Sequence, residues 1–279
     1  MKLVYSPKSL EYEEPGHPES PERLRRAYAY LKDKYEFFEP ALATDDDLLR
    51  VHSLKHIAQV RANEFYDPDS PRYPKIDLYA RLAAGAAILA AQEHAFSLMR
   101  PPGHHAARER VAGFCYFNNI SIAVKSTNKK TLIIDFDGHH GDGTQAIFLG
   151  DEQVSIISLH RSPWYPGTGL RSDQNCSNYP LHAFCGDSTY LQTLDKALDK
   201  IDLRDVEQIA VSAGFDAFID DPLASLGLST ECFYEIGKRI AQLKLPTFAV
   251  LEGGYNVTHL GPNIHAFLQG LSSREFQQG

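Results

Sequence analysis

The chain has 279 residues, 43% of them hydrophobic, and a formal net charge of −8 from 28 basic and 36 acidic residues. That length and apolar share suffice for one large core, while the acidic balance argues against the basic stripe of a general nucleic-acid binder, so no direct nucleic-acid partner is expected. The opening "MKLVYSPKSLEYEEPG" lacks a signal-peptide apolar core, the run 82–91 is too short to span a bilayer, and Cys115, Cys176, Cys185 and Cys232 form no C-x-x-C pair; a soluble cytoplasmic protein without a membrane partner is expected.

In chain order, a strand is expected at 2–6 and a helix at 21–34, with Pro21 and Glu22 in its first turn. A helix over 53–64 follows, with Ser53 as N-cap, then a Pro- and Asp-rich surface loop at 66–74 and helices at 78–95 and 118–125. From there strands and helices alternate: strand 131–137, helix 143–149, strand 154–160, helix 188–201, strand 207–214, helix 230–243 with Thr230 as N-cap, strand 247–254 and helix 260–270. The central strands read as continuous apolar runs, which suits a mostly parallel sheet covered on both faces. Alternation without a linker predicts one doubly wound α/β domain over residues 1–279.

Chemistry gathers where those strands end. "DFDGHHGDG" (135–143) ends one apolar run with three carboxylates and two imidazoles. "LHRSPWYPGTG" (159–169), "GFDAFIDD" (214–221) and "LEGGYN" (251–256) end three others. In open α/β sheets ligands bind in the crevice beyond the carboxyl ends of the strands, so the four loops predict a single site. Bare charges are costly to bury unless something pairs with them, and a cation answers that cost. Asp137 and His139, two apart on an extended strand end, point to one side, and Asp216 can reach them from a neighbouring strand. Alone, that spacing describes a capped strand end with a surface histidine; with the other loops it describes a metal site. Three protein ligands with a position left for water is the pattern of catalytic zinc, and the oxygen-rich set also admits Fe²⁺.

His104 and His105 of "RPPGHHA" form either an exposed turn or, with Asp135 and Asp142 left over from the metal, two His–Asp pairs. Such a carboxylate fixes the tautomer and raises the basicity of an imidazole, as a general base requires. Tyr255, behind two glycines, is either one of many packed tyrosines or a donor to an oxyanion.

These motifs, "RPPGHHA", "GFCYFNN", "DFDGHHGDGTQ", "SLH…YPGTG", "AGFDA…DP" and "LEGGYN", with "GHPESPERL" (16–24) before them, together resemble the zinc-dependent histone deacetylase family. The likeness is greatest to its class II branch and to prokaryotic deacetylases and acetylpolyamine amidohydrolases. It implies an arginase/deacetylase-like fold and hydrolysis of an N-acetyl amide. By motif it makes Asp137, His139 and Asp216 the zinc ligands, His105 the general base and acid, and His104 its electrostatic partner. Asp135 and Asp142 become the carboxylates behind them, and Tyr255 the group that polarises the amide carbonyl. Gly113, Phe114 and Tyr165 become walls of a substrate tunnel, and Arg23 an arginine near the acetate-release channel. A structural K⁺ would lie at Asp135, Asp137, His139, Ser158 and Leu159.

The sequence departs from the family pattern at Gly138, where a larger aliphatic is usual and a looser strand end is therefore expected. It also has Asp142 where class II members often have Asn, and Tyr165 where Phe or Leu is frequent. No chemical group is lost, and the short chain predicts trimmed rim loops. The expected substrate is the acetylated lysine of a protein or an acetylated small amine such as a polyamine. A binuclear arginase-like hydrolase would need further acidic ligands, for which Asp220 and Asp221 stand too far along their loop. A non-catalytic acyl-lysine binding module is the reading from another class.

Overall fold

The computed structural model describes residues 1–273. Its sheet is built from β1 (Leu3–Val4), β2 (Phe37–Phe38), β3 (Phe96–Ser97), β4 (Thr131–Asp135), β5 (Val154–Arg161), β6 (Cys176–Leu181), β7 (Gln208–Ala213) and β8 (Thr247–Leu251). All pair in parallel, in the order β2-β1-β3-β8-β7-β4-β5-β6. Around it lie α1 (Pro21–Leu31), α2 (Asp45–Leu49), α3 (Leu54–Ala62), α4 (Ile76–Glu93), α5 (Asn119–Thr127), α6 (Asp142–Phe148), α7 (Gly186–Leu198), α8 (Thr230–Gln242) and α9 (Leu260–Ser272). Among the described residues no helix is long and apolar enough to cross a membrane.

The strand side chains alternate between two cores, as a period of two requires. On β4, Leu132 and Ile134 join Leu24 of α1, Leu194 of α7, Phe233 of α8 and Phe267 of α9. Ile133 faces the other way, into the alanine-rich face of α4 with Ile120 of α5 and Phe148 of α6. Full burial of each such large side chain contributes about 1.5–3 kcal/mol. Helices on both faces explain why these strands read as unbroken apolar runs.

The predicted doubly wound sheet is the observed one, with strands trimmed to five or six residues where 131–137, 207–214 and 247–254 had been expected. The trimmed residues are the polar strand ends, which turn away into the site. β2 and β3 are too short to show a period. β6, "CSNYPL", carries Pro180 and lies at the sheet edge, where a missing N–H is tolerated. Ser53 caps α3 as expected, accepting from the His56 amide. Thr230 does not cap α8: Ser229 does, accepting from the Cys232 amide, and Thr230 is already helical. The short α2 begins with a capping box between Thr44 and Asp47.

The strand order places the site. β5 and β6 follow β4 on one side of it, while β7 and β8 lie on the other. The order therefore reverses between β4 and β7, the place where an open sheet leaves a crevice. Asp137 follows β4 and Asp216 follows β7, one on each side of that reversal.

Candidate active site

Asp137, His139 and Asp216 converge as expected: their ligating atoms lie within 4.8 Å of one another, and all three residues are buried. His139 Nδ1 lies 2.8 Å from Asp216 Oδ2 and 3.2 Å from Asp137 Oδ1. Backbone amides aim the carboxylates. Gly253 donates to Asp137 Oδ2 at 2.7 Å, the His139 amide to Asp137 Oδ1 at 2.8 Å, and Gly138 to Asp216 Oδ1 at 2.7 Å. Gly253 is required here by close approach, because a Cβ would stand 2.5 Å from Asp216 Oδ2 and 2.6 Å from Asp137 Oδ2.

Gly138 corrects an expectation. It does not loosen the strand end: a Cβ there would meet the Ala224 methyl at 2.7 Å, so the loop after β7 already fills the space a larger aliphatic would take.

The electrostatics describe a place for a cation. Burial and then the Asp137 charge push the Asp216 carboxyl up. Burial would raise Asp137 too, but the His104 and His139 imidazoles outweigh it and hold it well below the usual carboxylate range. Burial would lower His139, yet Asp216 and Asp137 raise it to about 10. Among the described residues no lysine or arginine pairs with either carboxylate; their charged partners are histidines. One nitrogen and two carboxylates, buried and held by amides, suit a divalent ion of the zinc or iron type.

The two His–Asp pairs form as predicted. His104 Nδ1 lies 3.1 Å from Asp135 Oδ2, and His105 Nδ1 lies 2.8 Å from Asp142 Oδ1. Their environments differ in sign. Burial would lower His104, but Asp137 and Asp135 hold it well above the usual value. Burial, then the His104 charge, presses His105 down to about 3 against the pull of Asp142. With Nδ1–H given to Asp142, the free nitrogen of a neutral His105 is Nε2.

A cavity of about 250 Å³ opens above these groups, and His105, Gly113, Phe114, His139, Tyr165 and Tyr255 line it. The Tyr165 ring meets His105 edge-on at 5.1 Å between centroids, and Phe114 meets Tyr255 at 5.9 Å. Burial drives the Tyr255 phenol well above its ordinary pKa despite the Arg23 charge, so it stays a proton donor. Arg23 is buried beneath it, with its guanidinium 4.8 Å from the Tyr255 ring centroid. It donates from Nε to the Gly254 carbonyl at 2.7 Å and from Nη2 to the Glu252 carbonyl at 2.6 Å. Ser158 is the β5 partner of Asp135, with Leu159 next to it; the Ser158 hydroxyl is bonded to His160 Nδ1 at 2.9 Å.

Other contacts at the site were not foreseen. The loop 66–74 is more than surface. Asp67 Oδ2 accepts from the Gly113 amide, Ser70 Oγ accepts from the Phe114 amide, and Asp69 lines the cavity beside Trp164 and Leu223. Glu252 is fully buried and accepts from the Gly103 and His104 amides at 2.6 and 3.1 Å. Arg110 pairs with Asp142. Arg23 and Arg100 share the buried Glu19 carboxylate. Asp220 is exposed and Asp221 is spent on backbone amides, so neither supplies a second metal. Glu19, Arg100 and Glu252 lie inside motifs already noticed for their neighbours, whereas Ser70 and Arg110 lie in none of them.

A family model described as "Histone deacetylase domain" matches residues 17–271. The chain is 38% identical to a probable deacetylase of Methanothermobacter thermautotrophicus, over 99% of this chain and 92% of that protein. Its fold superposes on the HD domain of HDA15 with a TM-score of 0.90 at 29% identity, covering 98% of this chain and 91% of that one. It superposes on an acetylpolyamine aminohydrolase from Burkholderia pseudomallei with a TM-score of 0.89 at 25% identity, covering 98% and 99%.

Proposed function

The chain belongs to the histone deacetylase family and is a deacetylase, and we propose that it is a zinc-dependent hydrolase of N-acetylated amines acting first on acetylated protein lysine. The carrying observation is that one cavity is lined by His139 of the Asp137/His139/Asp216 set, by His105 of the two His–Asp pairs and by Tyr255, with the remaining members of those groups buried behind them. We take residues 1–279 as one such domain. We also place it in the cytoplasm, a reading supported by four free cysteines, three of them buried.

Asp137, His139 and Asp216 would hold zinc, with Fe²⁺ as the other fitting ion, and when bound this ion supplies a Lewis acid that polarises the acetamide carbonyl and acidifies water. The residues do the rest. His105, neutral and with Nδ1–H fixed by Asp142, takes the proton of the attacking water at Nε2. It then returns that proton to the nitrogen of the leaving amine. His104, held cationic by Asp135 and Asp137, keeps His105 from charging early and stabilises negative charge that develops beside it. Tyr255 donates its phenolic proton in a hydrogen bond to the oxyanion. Acetate and a free amine result. Gly113, Phe114 and Tyr165 form the walls that hold an extended acylamine. Arg23 sits behind Tyr255, where departing acetate would meet a positive charge. A K⁺ ion at Asp135, Asp137, His139, Ser158 and Leu159 would brace the paired ends of β4 and β5.

Likeness to the Burkholderia pseudomallei acetylpolyamine aminohydrolase supports a second substrate reading, a small acetylated polyamine. The test is a kinetic panel on zinc-loaded protein with acetyl-lysine peptides, acetylpolyamines and longer acyl-lysines. A kcat/KM highest for acetyl-lysine peptides bears the proposal out; a preference for acetylpolyamines replaces its substrate. No turnover of any of them by metal-replete protein would leave an acyl-lysine binding module.

A further inference from the structure

We propose that Asp221 is a positioning residue that sets the Tyr255 hydroxyl for the reaction, an inference that rests on the reading of Tyr255 as the oxyanion donor. Asp221 is buried, 7% exposed, and its surroundings among the described residues are the Asp216 carboxylate and backbone amides, with no cation. Its carboxylate is instead divided between two loops. Oδ1 accepts from the Leu223 amide at 2.9 Å, within its own loop after β7. Oδ2 accepts from the amides of Tyr255 at 2.7 Å and Asn256 at 3.1 Å, in the loop after β8.

The Tyr255 loop needs such a tie. Tyr255 follows two glycines, the second at φ +121°, so its own backbone does little to fix where the ring goes. On the near side the turn is anchored by the Phe215 amide donating to the Gly253 carbonyl at 3.0 Å. On the far side Asn256 Nδ2 donates to the Asp220 carbonyl at 2.9 Å. Asp221 grips the residue between those anchors. Leu223 and Tyr255 both line the cavity, so one carboxylate sets the wall and the donor relative to each other.

The choice of an acid follows from acceptor count. A carboxyl group offers acceptor sites on two oxygens, so it can serve both loops at once. Asparagine at this place keeps one acceptor oxygen but turns an N–H group toward one of the three donors. Burying an acid with no counter-ion is costly, and orientation of the catalytic phenol is the return that places it here.

The test is a double-mutant cycle on zinc-loaded protein, read with a fluorogenic acetyl-lysine peptide. Asp221→Asn should lower kcat by about tenfold or more with KM within about twofold, since it disturbs a group that acts in the transition state. Zinc content, circular dichroism and affinity for a metal-chelating hydroxamate should stay at wild-type values. In a Tyr255→Phe background the same substitution should change kcat by less than about twofold, because contacting residues that act through one group are not additive. Equal losses in both backgrounds would overturn the inference, as would a silent Asp221→Asn. So would lost zinc or lost fold, which would show that Asp221 merely holds the loop of Asp216. A silent Tyr255→Phe would remove the tyrosine reading itself, and is distinguished by that single variant.

Discussion

The floor and the wall of the cavity are built on different principles. On the floor, Asp135, Asp137, His104 and Asp216 are at most 2% exposed, and backbone amides or imidazoles occupy their carboxylate oxygens. On the wall, Trp164 and Tyr165 are 42% and 39% exposed and meet their neighbours through ring faces and edges. A floor of buried charges tolerates no deletion, because each loss leaves another polar group unpaired. A wall of half-buried rings can change shape at the cost of contact area alone. On the proposed function, chemistry would reside in the buried floor and substrate choice in the half-exposed wall.

The largest expected effect breaks the floor at its ion. Asp216→Ala removes one of the three proposed ligands and orphans the Gly138 amide. It should abolish both stoichiometric zinc, read by elemental analysis, and turnover. Chelation of wild-type protein should likewise abolish turnover and lower Tm, since any ion bound only by the folded state stabilises it. An Asp216→Ala variant with one zinc per chain and normal rates would refute the ligand set.

The next effect separates two neighbouring histidines that share burial but not sign. His105→Ala should keep zinc yet lose more than the ~10²–10⁴-fold typical of one acid–base group, because the proposed role of His105 covers both proton transfers. His104→Ala should lose less. Equal, small losses in single-turnover assays would show that the opposite electrostatic surroundings of the pair do not divide the roles.

Tyr255 stands where floor and wall meet. Tyr255→Phe deletes only the hydroxyl, so fold, zinc and hydroxamate binding should survive. Turnover should fall about 10²–10³-fold, or roughly 3–4 kcal/mol, with little change in KM. A change within about twofold, far below that donor effect, would make Tyr255 a packed aromatic and leave the mechanism without its proton donor.

The same division explains what could be read before the structure. The floor was legible because catalysis on a strand end needs particular residue types close together. Asp135, Asp137, His139 and Asp142 lie within eight positions, and the alternating apolar runs place Asp216 and Tyr255 on neighbouring strand ends. The sheet was legible for the same reason, since buried parallel strands are apolar throughout. The supports were not. Asp221 and Glu252 act by accepting backbone amides from loops 34 and 149 residues away in sequence, and nothing in composition marks which amides a carboxylate will meet. The loop 66–74 looked like surface because its Asp and Pro residues fit any turn; its Ser70 hydroxyl and Asp67 carboxylate gain meaning only when the 113–114 amides arrive. Gly138 misled because looseness was inferred from one side chain, whereas Ala224 on another loop fills the space.

The smallest effect should come from the wall, and it sharpens the comparison by changing preference rather than rate. The Tyr165 ring stands edge-on to His105 at 5.1 Å and to His139 at 6.0 Å, so it bounds the cavity beside these two imidazoles. Tyr165→Phe keeps that boundary, and acetyl-lysine turnover should stay within about threefold, well under the loss expected for a catalytic donor. Tyr165→Ala removes the ring and opens the wall. An added methylene in an apolar pocket is worth about 1–3 kcal/mol, or 10–200-fold in kcat/KM. The butyryl-lysine to acetyl-lysine ratio of kcat/KM should thus rise by about tenfold in Tyr165→Ala, the low end of that range, since the ring is half exposed and water already reaches it. Zinc content should not change. If Tyr165→Ala instead loses acetyl turnover as heavily as Tyr255→Phe while leaving the ratio unmoved, the ring belongs to the floor, and the separation of chemistry from selection fails at that residue.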